Sequence, residues 1–197
     1  MKNLLLTAIA AVLVVGCGKS KREQLEAICW NNTKQIALAL HMFAKDHDGK
    51  MPWQVSEKDG GSMEYFSPRS DKNALLDASG DPIFDENAWR HFLPLGDSLG
   101  NNFSILICPS EKKWKGKPTR GIRNKPTSSD EVSYWLLTDE KLNFDNAKYP
   151  WDAFFSVCPH HPDKSYASTA GGAINTVHWP EIRQRIIKGR ELKAEGK

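Results

Sequence analysis

The stretch Gln24-Leu25-Glu26-Ala27-Ile28-Cys29-Trp30-Asn31-Asn32-Thr33-Lys34-Gln35-Ile36-Ala37-Leu38-Ala39-Leu40-His41-Met42-Phe43-Ala44-Lys45-Asp46-His47 decides the fold. Leu25, Ile28, Cys29, Ile36, Leu40 and Phe43 recur at spacings of three, four and seven, which places them on one apolar stripe of a helix. Asn32 interrupts that stripe, and a buried amide there requires a backbone partner. Asp48-Gly49 stops the helix, because glycine takes the left-handed C-terminal position, and Pro52 prevents its continuation.

Outward toward the C-terminus, residues 53–101 are rich in Gly, Asp, Ser and Pro, with one short helix expected over Asn87 to Leu95. Four segments then read as strands: Phe103 to Ile107, Val132 to Thr138, Ala153 to Val157 and Ala173 to Trp179. Each is short, carries β-branched or aromatic residues and is bounded by turn formers. Their hairpin-length connections favour antiparallel pairing. A long helix followed by such strands predicts an α+β domain in which a small antiparallel β-sheet covers the helix stripe.

Outward toward the N-terminus, residues 17–24 read as a short charged tether and Met1 to Gly16 as an export signal. Lys2 supplies the positive region, Leu4 to Val15 the apolar run, and Val14-Val15-Gly16-Cys17 a small-residue cleavage site. The run falls short of the roughly 20 apolar residues that span a bilayer. A cysteine at the cleavage point marks a lipoprotein, whose thiol accepts a diacylglyceryl group. The protein is thus expected to be held to the cell membrane by lipid on Cys17. With no acidic residue directly after Cys17, the outer membrane is favoured in a two-membrane cell. One acyl chain holds a protein only reversibly, whereas two or more anchor it.

Composition narrows the partners. Of 197 residues, 181 remain after a signal of 16, enough for one domain with a core. Only Lys2 is lost among the charges, so 26 bases face 24 acids in the mature chain, and no nucleic-acid partner is implied. Charge is uneven: Glu57 to Asp97 holds nine acids against four bases, and Glu111 to Lys125 seven bases against one acid. The basic run reads as a solvated loop. Residues 181–197 form a basic tail. With Cys17 lipidated, Cys29, Cys108 and Cys158 permit one disulfide among three pairings, or a reduced trio.

The helix sequence from Cys29 through Met51-Pro52 resembles the start of the globular part of pseudopilin-like proteins. These are related to the type II secretion major pseudopilin and are abundant in planctomycetes and verrucomicrobia. Ile107-Cys108-Pro109-Ser110-Glu111 is similar to the family's Cys-Pro-Ser-Asp turn, and Val132-Ser133-Tyr134 to its Ser-Tyr strand. Gly171 to His178 resembles its late glycine-rich segment, with Asn175-Thr176-Val177 where the family has Asp-Gly before the histidine. The resemblance implies a pilin-like domain over residues 25–180 and a disulfide between Cys29 and Cys108. The prepilin peptidase site and the apolar half-helix that packs a pilus fibre are both missing, and the lipoprotein signal stands in their place. The resemblance therefore implies a tethered domain that contacts an envelope protein, with no fibre assembly.

Candidate chemistry is sparse. Asp46-His47-Asp48-Gly49 with Glu57 has glycine fourth and Lys50 fifth, which breaks the spacing of a calcium loop. Some type II pseudopilins bind calcium late in the domain, which points by resemblance to Asp139, Glu140, Asn143, Asp145 and Asn146. Cys158-Pro159-His160-His161, with His178, offers thiolate and imidazole ligands for zinc, but only one ligand cluster is visible. Cys158 as a nucleophile lacks flanking sequence that would activate it. No Gly-x-Ser-x-Gly elbow, phosphate loop or His-Glu-x-x-His occurs. The expectation is a non-enzymatic envelope lipoprotein without cofactor. The alternative is an exported metal-binding module using Cys158, His160, His161 and His178.

Overall fold

The computed structural model describes residues 20–66, 88–111, 124–136, 138, 154–158, 160–161, 165–169 and 174–177. The signal, Cys17, the 139–146 oxygens, His178 and the basic tail lie outside the described residues.

Helix α1 runs Lys21–Asp46. It starts three residues before the expected Gln24 because Ser20 and Glu23 form a reciprocal cap. The Glu23 amide donates to Ser20 Oγ at 3.2 Å, and the Ser20 amide to Glu23 Oε2 at 2.8 Å. The last part of the expected tether is therefore the first turn of α1. The helix stops as its sequence dictates. Asp48 and Gly49 take positive φ of 54° and 77°, and the Gly49 amide returns to the Ala44 carbonyl at 2.8 Å. Cys29, Asn32, Thr33, Ile36, Ala37, Ala39, Leu40, Phe43 and Ala44 are buried. Ile28 is not part of that stripe; it is 48% exposed, beside exposed Leu38 and Met42.

After α1 the chain folds into short turns at Pro52–Gln54, Glu57–Asp59 and Met63–Tyr65, with Trp53 buried beneath them. The helix expected over Asn87 to Leu95 appears as α2, Ala88–His91, followed by a 3-10 turn at Leu93–Leu95. The strand expected at Phe103 to Ile107 is instead a 3-10 helix, Phe103–Leu106. A short apolar run carries no periodicity that separates the two, and here Phe103, Ile105 and Leu106 are buried from several sides at once.

The sheet has four antiparallel strands in order β1-β2-β3-β4: Trp135–Leu136, Phe154–Cys158, Ser165–Thr169 and Ile174–Val177. β1 is only two residues of the expected Val132 to Thr138. β3 was not expected, since Ser165-Tyr166-Ala167-Ser168-Thr169 is mostly small and polar. Burial of Tyr166, Ala167 and Ser168 between neighbours overrides that composition. α1 packs against β2 and β3, and one core joins Ile36, Leu40, Trp53, Phe92, Leu106 and Leu136. The expected α+β arrangement of a long N-terminal helix on a small antiparallel sheet is present. Among the described residues no helix is long and apolar enough to cross a membrane.

Candidate metal centre

Four side chains from three parts of the chain meet where α1 crosses the sheet. Cys29 lies on the inward face of α1, and Cys158 ends β2. Cys108 follows the Phe103–Leu106 turn, and His161 stands three residues after Cys158. Their ligand atoms, three Sγ and one imidazole nitrogen, all lie within 4.8 Å of one another. Cys108 Sγ and His161 Nε2 are 3.6 Å apart. The cysteines have no exposed surface, and His161 has 6%.

Each ligand is held from outside. The Thr33 hydroxyl donates to the Cys29 carbonyl at 3.0 Å, one helical turn on. Tyr166 pairs with Cys158 across the β2–β3 ladder, and its ring meets the His161 imidazole edge-to-face at 5.0 Å. The Ser110 backbone beside Cys108 favours its thiolate form. The Tyr134 hydroxyl donates to Cys29 Sγ at 3.4 Å.

The three thiols shift one another's ionisation in opposite directions. Hydrogen bonds from Cys158 and Cys29, with help from His161, pull the Cys108 thiol far below its usual range against the cost of burial. The same contacts with Cys108, together with burial, push Cys29 and Cys158 far above it. Three crowded sulfurs can therefore hold one negative charge on their own but not three. A dication changes this, since a coordinated thiol is deprotonated outright. Burial also pushes the Tyr134 hydroxyl well above the usual phenol range, so it remains a donor.

One donor distance matches that expected around a single tetrahedral ion. Zinc–sulfur bonds of about 2.3 Å and zinc–nitrogen bonds of about 2.0 Å put neighbouring donors roughly 3.5–3.8 Å apart. The observed 3.6 Å between Cys108 Sγ and His161 Nε2 falls in that range. Thiolates around a cluster of several irons have to stand further apart. Three cysteines and one histidine would fill the four positions around a structural zinc.

The structure redraws the expected ligand set. Cys158 and His161 belong to it, whereas His160 turns away. His160 Nε2 donates to the Ser133 carbonyl at 3.0 Å and lies 3.6 Å from the Glu111 carboxylate, which also accepts from the Ser133 hydroxyl. All three thiols are free, so the disulfide implied for Cys29 and Cys108 is not formed. Both cysteines instead face Cys158 and His161. A signal for this was present in sequence: Cys108-Pro109-Ser110-Glu111 and Cys158-Pro159-His160-His161 share a Cys-Pro turn. Cys29 carried no such mark, because a cysteine on an apolar stripe reads as core. Among the described residues no other group of three or more such donors converges. Glu57 accepts from the Tyr65 hydroxyl at 3.2 Å.

Comparison with protein-family models, with curated proteins and with solved structures yields no match to this chain.

Proposed function

We propose that this protein is an exported lipoprotein, tethered by lipid on Cys17, whose pseudopilin-like domain is stapled by one zinc ion on Cys29, Cys108, Cys158 and His161. The observation that carries the metal is the convergence of four buried donors within 4.8 Å. The role is non-enzymatic: the ion ties α1 to the sheet and presents a fixed surface to an envelope partner. A pilin would secure its domain through an apolar half-helix, and here the lipid supplies the anchor. The anchor rests on the Lys2, Leu4–Val15 and Gly16-Cys17 pattern. The pilin-like reading rests on the α1 motif and on the observed order of long helix, then antiparallel sheet.

A thiol-rich site in an oxidising compartment is consistent with this chemistry. Coordination and burial together keep the sulfurs from oxidants, and metal held by the folded ligand shell adds its binding free energy to the fold. The test is metal analysis of protein purified without a histidine tag, alongside thiol counting by mass spectrometry. The expected result is one zinc per chain and three thiols that react only after chelation and unfolding. A metal-free protein with Cys29 bonded to Cys108 would overturn the reading. The anchor is tested separately: Cys17→Ser should move the protein from the membrane to the soluble fraction.

A further inference from the structure

We propose that Tyr134 is a positioning residue of the metal centre, whose hydroxyl holds the Cys29 thiolate in the ligand shell. This rests on the zinc reading above. Three thiolates, one neutral imidazole and a dication leave one net negative charge in a buried site. Donors aimed at the sulfurs spread that charge, and partners outside the ligand shell govern how tightly a metal is held.

The three cysteines differ in where such a donor can come from. Cys108 lies in a turn, where the Ser110 backbone beside it favours its thiolate. Cys29 lies inside α1, where backbone amides are committed to carbonyls one turn back. The nearby Thr33 hydroxyl is also committed, to the Cys29 carbonyl rather than the sulfur. A thiolate on a helix must therefore take its donor from another part of the fold. Tyr134, 105 residues later and 1% exposed, aims its hydroxyl at Cys29 Sγ at 3.4 Å. A buried phenol normally finds a good acceptor. A neutral thiol is a weak one, and a metal-bound thiolate is a strong one. The arrangement thus points to the same ionised sulfur from the partner's side.

The experiment uses the full chain loaded with cobalt(II), whose thiolate charge-transfer band reports the electron density on sulfur, and with zinc for competition against a chelating dye. Tyr134→Phe keeps the ring and its packing. It is expected to shift the cobalt band to lower energy, weaken zinc about 10–100-fold and speed alkylation of Cys29 relative to Cys108 and Cys158. Thr33→Val, which perturbs the same turn without touching the sulfur, is expected to leave the band in place. Wild-type protein grown with fluorotyrosine, a stronger donor, is expected to shift the band the other way, and this arm does not depend on the variant folding. An unchanged band in Tyr134→Phe and in the fluorotyrosine protein, or equal shifts in Tyr134→Phe and Thr33→Val, would overturn the Tyr134 proposal while leaving zinc intact. Failure of the wild-type chain to bind cobalt or zinc would instead remove the metal reading itself.

Discussion

Asn32 Nδ2 donates to the Ile107 carbonyl at 3.1 Å, joining the turn after Cys29 on α1 to the residue just before Cys108. The bond is buried and crosses 75 residues of sequence. It sets the register between two of the four metal donors before any ion arrives. Asn32→Ala would leave the Ile107 carbonyl buried without this donor, at a cost of about 1–3 kcal/mol. We expect a lower melting temperature in metal-free protein and, in addition, weaker zinc binding. Unchanged zinc affinity in a destabilised variant would show that the bond serves the core alone.

Removing a ligand should act through the ion. A metal present at 1,000 times its dissociation constant contributes about 4 kcal/mol to the folded state. For a chain of this size each kcal/mol moves the melting temperature by about 2–4 °C. Chelation should therefore lower the wild-type melting temperature by roughly 8–16 °C. Cys108→Ser and Cys158→Ser should melt near the chelated wild type and show no further response to chelator. His160→Ala should retain its zinc, because His160 faces Ser133 and Glu111. Differential scanning calorimetry with and without chelator checks all three.

How far the site was legible follows from which residues carry local signals. Most of the buried face of α1 and its stop at Asp48-Gly49 are properties of contiguous sequence, so periodicity and turn chemistry exposed them, whereas the Ser20/Glu23 cap was missed because the charged residues before Gln24 read as a tether. Asn32 was legible as a polar residue in search of a partner, although nothing local could name Ile107. The ligand set depends on how α1, the Cys108 turn and β2 meet. Cys29 looks like any small core residue, and Cys108 and Cys158 could as well have been disulfide partners. His160 and His161 are neighbours of identical chemistry, and only the fold decides which one faces the sulfurs. β3 was missed for a related reason: its small polar residues become strand through the ladders on both sides, not through their own preference.

Acid should weaken the fold through His41. Burial lowers its folded-state value below the usual histidine range, so the folded state binds fewer protons than the unfolded one in that window. The stability that goes with a neutral His41 is fully present above about pH 6.5 and is lost as pH falls through the lower folded-state value. His41→Gln should flatten the slope of stability against pH over that interval. Urea titrations of chelated protein at several pH values isolate the effect from proton competition at the zinc ligands.

Gly61 is predicted to tolerate no side chain, for a reason of space. A Cβ there would lie 2.0 Å from the Val55 carbonyl oxygen and 2.5 Å from its carbon, both backbone atoms that cannot swing aside. The close approach follows from three hydrogen bonds that fold the loop on itself: Gly61 to Ser56 at 2.8 Å, Ser62 to Pro52 at 2.8 Å and Met63 to Val55 at 2.9 Å. They also aim Ser62 Oγ at His91 Nδ1, 2.8 Å away, beside the buried Trp53. Gly61→Ala must break part of this set, which places its cost at or above the roughly 1–3 kcal/mol of an overpacked core. Gly100→Ala makes the contrast. Its Cβ would meet nothing within 4 Å, and only its φ of 61° opposes the change, at about 1–2 kcal/mol. Both variants should keep one zinc per chain, since neither residue touches a ligand. A melting temperature lower for Gly61→Ala than for Gly100→Ala confirms that close backbone packing is the constraint, and the reverse order would place the constraint in the left-handed turn.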